Sequence, residues 1–147
     1  MAGKSDAFEY DFLRMTFNGT AITNLSATAG TTLIWVALCT ADPGDAGSTA
    51  AEGVGAQYAR TSVGRSTAGW AVTSGTSAAL AVVSPVAAIT FPQNTSTSTG
   101  TYTHFATYPS SSSLAAAMLY GGTVTPNINV SQNVTPSLTT GSSITED

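Results

Sequence analysis

Charged residues are scarce in this sequence. They make up 8% of the 147 residues, whereas about 25% is usual for soluble domains. Only Lys4, Arg14, Arg60 and Arg65 are basic, and they are dispersed along the chain. Binding to DNA or RNA requires clustered lysine and arginine that replace the counterions of the phosphates. The composition, with its net charge of −4, therefore excludes a nucleic-acid-binding protein.

Cysteine and histidine are almost absent as well. Cys39 is the only cysteine, so no disulfide can form within the chain. Its place in an apolar run predicts a small buried side chain. His104 is the only histidine, and one imidazole without other histidines or clustered cysteines does not make a metal site. We therefore expect a structural or surface role for His104, with no metal and no other cofactor.

Long apolar segments are missing too. The longest apolar run, Leu33–Thr40, is far shorter than the about 20 residues of a transmembrane helix. The N-terminus turns acidic and aromatic where a secretion signal has its apolar centre. The sequence therefore predicts no membrane association and synthesis in a cytosol.

What the chain does contain is typical of β-structure. Serine and threonine make up roughly 30% of it, and valine, isoleucine and aromatic residues are spread throughout. The run Leu33–Thr40 is rich in branched and aromatic residues and ends at the turn Asp42-Pro43-Gly44. Proline fixes φ and lacks an N–H, and glycine accepts a positive φ, so this turn ends the run. We expect Leu33–Thr40 to be a buried strand in the middle of a sheet.

The rest of the chain consists of short strand-like segments between turn signals. Further strand candidates are Gln57–Val63, Gly69–Thr73, Ala78–Val83, Val86–Phe91, Thr101–Thr107, Leu119–Tyr120, Thr123–Thr125, Asn127–Val130 and Val134–Leu138. Gly121-Gly122 predicts a bulge or bend, Pro126 separates two short strands, and Thr139–Asp147 is a polar tail. Because no long helices alternate with these strands, we expect an all-β fold, an antiparallel, jelly-roll-like β-sandwich.

The N-terminal segment differs from the rest, because Ser5–Met15 has a helical pattern. Ser5 or Asp6 can cap the first turn, and Phe8, Phe12 and Met15 form one apolar stripe. So short a helix needs a surface to lie on. It either packs on the sheet of its own domain or forms an arm that docks on another subunit. We divide the chain into an N-terminal helical arm, 1–19, and a β-sandwich domain, 20–147.

Residues for catalysis are few. The Gly-x-Ser-x-Gly motif of serine hydrolases is absent, and the carboxylates do not suggest a glycosidase pair. Asp42, Asp45 and Glu52 lie near one another in the sequence, and Asp45–Gly55 forms a long loop of small residues. Three carboxylates near turns can bind calcium, but the EF-hand spacing is absent, so turn and solvation roles are preferred. We expect no catalytic residues and no enzyme activity.

The two tryptophans and two of the arginines leave alternatives open. Trp35 and Trp70 fit core or inter-sheet positions, and stacking on a sugar is the alternative. Arg60 and Arg65 are rare charges in strand-like segments. Solvation is the simplest role for them, and contact with an acidic partner is the alternative, because few other charges could hold a partner in register.

Seven short motifs follow one another in a characteristic order. They are Phe17–Ala21, Trp35–Gly44, Tyr58–Arg60, Gly69-Trp70, Ile89–Pro92, Thr101–Phe105 and Leu119–Thr125. Their succession, which covers nearly the whole chain, resembles a family of small virion proteins of tailed bacteriophages. Members of that family are often labelled tail fibre protein, and similar proteins act as capsid cement or decoration proteins. The family usually carries a histidine where Cys39 stands, and its motifs contain no catalytic residue.

The resemblance implies a structural protein on the outside of a virion, made in the cytoplasm of the bacterial host. We expect a capsid cement protein that binds the major capsid protein at joints between capsomers and associates with itself as a dimer or trimer. The candidate partner contacts are Phe8, Tyr10, Phe12, Arg14, Asp42, Asp45, Arg60 and Arg65. The alternative is a tail fibre or tail-tip component that touches host sugars through Tyr102, Tyr108 or Trp70.

Overall fold

A computed structural model describes residues 3–5, 8, 11–12, 21–22, 25, 33–49, 51–73, 81–111 and 118–146. Ten strands lie in these ranges: β1 Gly3–Lys4, β2 Leu33–Cys39, β3 Thr61–Gly64, β4 Trp70–Thr73, β5 Ala81–Pro85, β6 Ile89–Thr90, β7 Gly100–Tyr108, β8 Tyr120–Val130, β9 Ser137–Leu138 and β10 Ile144–Glu146. Within the same ranges, no helix is long and apolar enough to cross a membrane.

The strands form three antiparallel sheets. The largest has the order β1-β8-β7-β2-β3, the second has the order β10-β5-β4, and β6 pairs with β9. Side chains of the two smaller sheets face one side of the large sheet, as in a sandwich. The predicted all-β antiparallel sandwich is therefore confirmed.

Strand β2 lies inside the large sheet, between β7 and β3. Its last four residues are buried, and it pairs with β7 in a regular register from Trp35 opposite Tyr108 to Cys39 opposite His104. An interior strand covered on both faces needs apolar residues at successive positions, not only at alternate ones. That requirement explains the unbroken apolar run, and the prediction of a buried interior strand is confirmed.

Two apolar clusters cover the two faces of β2. One face contributes Val36 and Leu38 to a cluster with side chains of β6, β7 and β8. The other contributes Ala37 and Cys39 to a cluster that also contains Tyr108. Cys39 has no exposed surface, so the prediction of a small buried side chain there is confirmed. The second face is the one on which the candidate site described below lies.

Strand β8 corrects one local prediction. Gly121 and Gly122 form no bulge, because they pair in regular register with Ala106 and Phe105 of β7. The register between β7 and β8 shifts instead between Tyr102 and His104, opposite the part of β8 that contains Pro126. Proline cannot donate to the ladder, so the interruption falls there. One strand, Tyr120–Val130, nevertheless replaces the separate short strands predicted on either side of Pro126.

The N-terminal segment lies against β8. β1 pairs with it through Gly3 opposite Gly121 and Lys4 opposite Tyr120. The Ser5 hydroxyl donates to the Met118 carbonyl and accepts the N–H of Phe8 at 3.2 Å. This second bond spans three residues and is a helix N-cap, so Ser5, one of the two predicted capping residues, has that role.

Only part of the predicted helix lies within the described residues. Phe8, Asp11 and Phe12 have helical geometry, and the other positions between 6 and 15 lie outside the described residues. The ring of Phe8 meets the ring of Tyr120 edge-on at 5.6 Å. The division into an arm, 1–19, and a domain, 20–147, stays a prediction. At the other end of the chain, β10 lies in the predicted polar tail and pairs with β5.

Candidate interaction site

The loop between β2 and β3 is fixed to the large sheet by two tyrosine hydroxyls. The Tyr58 hydroxyl accepts the N–H of Leu38 at 2.9 Å, and the Tyr102 hydroxyl accepts the N–H of Val54 at 3.0 Å. Their rings lie 6.2 Å apart. A loop held at both of these points, by the half-buried Tyr58 and the buried Tyr102, is part of the rigid scaffold. The loop therefore presents its polar side chains in defined positions.

Arg60 and Glu52 form a buried ion pair at the end of this loop. Arg60 Nε and Nη2 each donate to one carboxylate oxygen of Glu52 at 2.8 Å. Nη1 donates to the Ser110 carbonyl at 3.1 Å, and the guanidinium carbon lies 3.5 Å from the centre of the Tyr108 ring. The exposed fractions of the two side chains are 3% and 11%. This bidentate geometry orients both groups.

Burial and the charges of the ion pair shift the pKa values of Arg60, Cys39 and Tyr108. Burial lowers the pKa of Arg60, but the hydrogen bonds and charge of Glu52 outweigh it, so the net shift is upward. Burial raises the pKa of the Cys39 thiol to about 12, with Glu52 adding to the effect. Burial likewise raises the pKa of Tyr108 to about 12, against the opposing charge of Arg60. Cys39 is therefore a protonated, unreactive thiol at neutral pH.

We expect the free energy of unfolding to fall as the pH rises above about 9. The unfolded chain releases the Cys39 proton near its ordinary pKa of 9.0 and the Tyr108 proton near 10.0. The folded protein retains both protons to about pH 12. The unfolded state therefore binds fewer protons in this window, and alkali favours unfolding.

Urea melts at pH 8 and pH 11 measure the effect. Tyr108→Phe is the test variant, since the Tyr108 hydroxyl is buried without a hydrogen-bond partner among the described residues. This variant should lose less stability between the two pH values than the unaltered protein. An equal loss in both proteins would show that Tyr108 does not contribute.

A cleft opens beside the ion pair, on the second face of the large sheet. Its volume is about 470 Å³. The residues that line it are Trp35, Thr49, Glu52, Tyr58, Ala59, Arg60 and Ser111. Trp35 is half-buried and packs against the Cys39–Tyr108 cluster. The cleft thus combines an aromatic ring with hydroxyls and both charges of a rigid ion pair.

A second, smaller groove contains two of the predicted partner contacts. It has a volume of about 160 Å³ and brings Asp42 and Asp45 near His104, beside β1 and β8. Both aspartates are exposed. Asp42 Oδ1 accepts the N–H of Gly44 at 2.9 Å, which is the turn role predicted for it. The Thr103 hydroxyl is hydrogen-bonded to His104 Nδ1 at 2.8 Å.

The remaining predicted partner contacts differ in their exposure. Phe8 is half-buried and Phe12 is 47% exposed, whereas Tyr10 and Arg14 lie outside the described residues. Arg65 is half-buried in the turn after β3 and does not line the Asp42–Asp45 groove. Their role as contacts stays a prediction.

Arg60 requires a correction, because it is buried and its guanidinium is used inside the chain. It is therefore removed from the surface contacts. The sequence analysis did not predict Glu52 as the partner of Arg60. The pattern that could have indicated it is a carboxylate eight residues before an arginine in a chain with few charges.

Of the three carboxylates considered for a calcium site, Glu52 is engaged elsewhere. Both oxygens of Glu52 accept hydrogen bonds from Arg60, so this side chain does not join Asp42 and Asp45. Among the residues that the structure describes, no three of histidine, cysteine, aspartate and glutamate lie close enough together to hold a metal ion. Asp42 and Asp45 are therefore interpreted as turn and surface residues.

The aromatic residues are distributed between core and cavities. Tyr102 and Tyr108 are buried, so they cannot be the surface sugar contacts expected for a tail fibre. Trp70 is half-buried, packs against the main core cluster and lines a cavity of about 260 Å³ between the sheets. Its inter-sheet position is thus confirmed. Its indole N–H is buried and lacks a hydrogen-bond partner among the described residues.

The apolar surface includes one strand edge. β4 is an edge strand of the three-stranded sheet, and Ala71, Val72 and Thr73 on it are exposed. Val72 is 76% exposed, and Val86 nearby is 49% exposed. An edge strand without charges is poorly protected against pairing with another chain.

The comparison with protein families identifies the chain. A family model described as Podophage GP4 fiber I protein gp80 matches residues 3–145. No curated protein matches the chain. The match covers nine of the ten strands completely and β10 in part, and it includes the loop, cleft and groove described above. The chain therefore belongs to the family of the podophage GP4 fiber I protein gp80, a family of structural proteins of the phage virion.

Proposed function

We propose that this virion protein is a capsid cement protein, which binds the outer surface of the major capsid shell and stabilises joints between capsomers. The observation that carries the proposal is its surface. Charged residues make up only 8% of the chain, and an uncharged strand edge is exposed at Val72. Such a surface promotes association, which is a disadvantage for a free protein but suits a subunit held in an assembly.

The proposed mechanism is binding without catalysis. Each copy bridges neighbouring capsid subunits, and its interface adds to the free energy that resists the pressure of the packaged DNA. A contact of about 1,000–2,000 Å² is sufficient, since many copies act together. The candidate contacts are Phe12, Asp42, Asp45, the β4 edge and Arg65, together with Phe8, Tyr10 and Arg14. Self-association as a dimer or trimer on a local symmetry axis is part of the proposal.

Addition of the purified protein to expanded capsids that lack it tests the proposal. We expect saturable cosedimentation, with a stoichiometry set by the number of capsid subunits. Val72→Lys and Asp45→Lys should each weaken binding at least about tenfold, because each places a lysine charge in the proposed contact with the shell. Thr140→Lys, on an exposed loop, is the matched control and should bind normally. No binding of the unaltered protein would contradict the cement function.

The family description supports a second candidate. It names a fibre protein, so the chain could instead be a fibre subunit that extends from the virion. That function predicts no saturable binding to the shell, and it predicts assembly with other fibre components at a few positions. The cosedimentation experiment separates the two candidates, because only a cement protein covers capsids that lack a tail.

A further inference from the structure

Stability alone does not explain why this position holds an ion pair and not two apolar residues. Moving an arginine and a glutamate out of water has a large desolvation penalty, and apolar residues of similar size often stabilise a protein equally well. This chain has four basic residues, and one of them is in the buried pair. The pair also lines a cleft, beside the apolar cluster that contains Tyr108. This position points to recognition of a ligand.

The chemistry of the cleft defines the class of ligand. The charges of Arg60 and Glu52 neutralise each other at 2.8 Å, so the site does not favour an anion or a cation. Each Glu52 oxygen accepts one bond from Arg60 and has a second lone pair, and Thr49 and Ser111 add hydroxyls. Trp35 supplies an apolar aromatic surface in the same cleft. A neutral ligand with several hydroxyls and one apolar face matches this set.

We propose that the cleft between Trp35, Thr49, Ser111 and the Glu52–Arg60 pair is a binding site for a neutral saccharide. The sugar ring packs its C–H face on the indole of Trp35, and its hydroxyls donate to Glu52 and exchange hydrogen bonds with Thr49 and Ser111. The volume of about 470 Å³ lies within the range of about 300–1,000 Å³ that is typical of small-molecule sites. The proposal does not depend on whether the protein lies on the shell or in a fibre.

The site is rigid before any ligand arrives. The Tyr108 ring lies under the guanidinium at 3.5 Å, and the Ser110 carbonyl accepts from Arg60 Nη1. Glu52 is held to the sheet by its bridge to Cys39. Preorganised polar groups lose little conformational entropy on binding. A single sugar ring can therefore bind despite the small contact area.

Tryptophan fluorescence of the whole protein tests the proposal. The variant Trp70→Phe leaves Trp35 as the only tryptophan, so its emission reports on the cleft. The probes are glucose, galactose, mannose and N-acetylglucosamine, each up to about 50 mM, which exceeds the about millimolar dissociation constant of a weak site. We expect a saturable change in Trp35 emission with at least one of them. No saturable change with any of the four would overturn the proposal.

Variants at the cleft distinguish sugar binding from a general solvent effect. In the Trp70→Phe background, Ser111→Ala and Thr49→Ala should each weaken binding about threefold to tenfold, since each removes one hydroxyl. Thr140→Ala, on an exposed loop outside the cleft, should leave it unchanged. In isothermal titration, the variant Trp35→Leu should bind the sugar at least tenfold more weakly. Circular dichroism checks that this variant is folded. The proposal would be contradicted if these cleft variants bound sugar as tightly as the protein with an intact cleft. It would also be contradicted if sodium phosphate or arginine, but no sugar, gave a saturable change in emission.

Discussion

Replacement of Arg60 by leucine should destabilise the protein by about 3–5 kcal/mol, because it leaves the Glu52 carboxylate buried without its partner. The Glu52 side chain is 11% exposed, and its contacts with Arg60 are both 2.8 Å long. Without Arg60, the carboxylate must take up a proton or pull the loop towards water. For a chain of this length, each kcal/mol lowers the melting temperature by about 2–4 °C. Calorimetry at pH 7 measures the shift.

The ion pair itself is tested by the double variant Arg60→Leu/Glu52→Leu. Because the second substitution removes the unpaired charge, the double variant should regain most of the lost stability. Arg65→Leu is the matched control and should change stability by less than about 1 kcal/mol, as is usual outside buried networks. If Arg60→Leu is as stable as the unaltered protein, or if the double variant is no more stable than Arg60→Leu, the buried pair has been misassigned.

Gly53→Ala should destabilise the protein by about 2–5 kcal/mol, for two additive reasons. Gly53 has φ +80°, and side chains other than glycine adopt this left-handed region at about 1–2 kcal/mol. An added Cβ would also lie 2.4 Å from Cδ1 and 2.5 Å from Cγ of Tyr58, and such overpacking adds about 1–3 kcal/mol. Tyr58 cannot move away freely, because its hydroxyl holds the N–H of Leu38.

Gly44→Ala provides the control for this substitution. Gly44 also has a positive φ, +62°, but an added Cβ there would meet nothing within 4 Å. It should therefore show only the backbone contribution of about 1–2 kcal/mol. The difference between the two variants in urea melts gives the contact energy with Tyr58. Equal destabilisation at both positions would show that the loop does not pack on Tyr58 as described.

The elements that could be predicted are those governed by local patterns. The apolar run of β2 and the turn at Pro43 predicted a buried interior strand, and its predicted end, Thr40, lies one residue beyond the observed end at Cys39. The N-cap at Ser5 also followed from a local residue pattern. β10 could not be predicted, because its short, polar sequence is a strand only through pairing with β5. Similarly, continuity of β8 across Pro126 depends on its partner β7.

The candidate site was harder to predict than the fold. Arg60 and Glu52 are eight residues apart, and their approach requires the turn that the loop makes between them. Just beyond the end of β7, the Ser110 carbonyl accepts a hydrogen bond from Arg60 and Ser111 lines the cleft. The sequence indicated that Arg60 was unusual, and the structure shows its side chain buried in an ion pair with Glu52. Trp35 was recognised as either a core or a sugar-stacking residue, and its half-buried position allows both roles.

The copy number of this protein in purified virions tests the proposed cement function most directly. Quantitative gel densitometry against the major capsid protein measures it. Cement sites repeat with the symmetry of the shell, so the account predicts on the order of hundreds of copies per virion. A handful of copies would contradict the cement function and favour a fibre subunit.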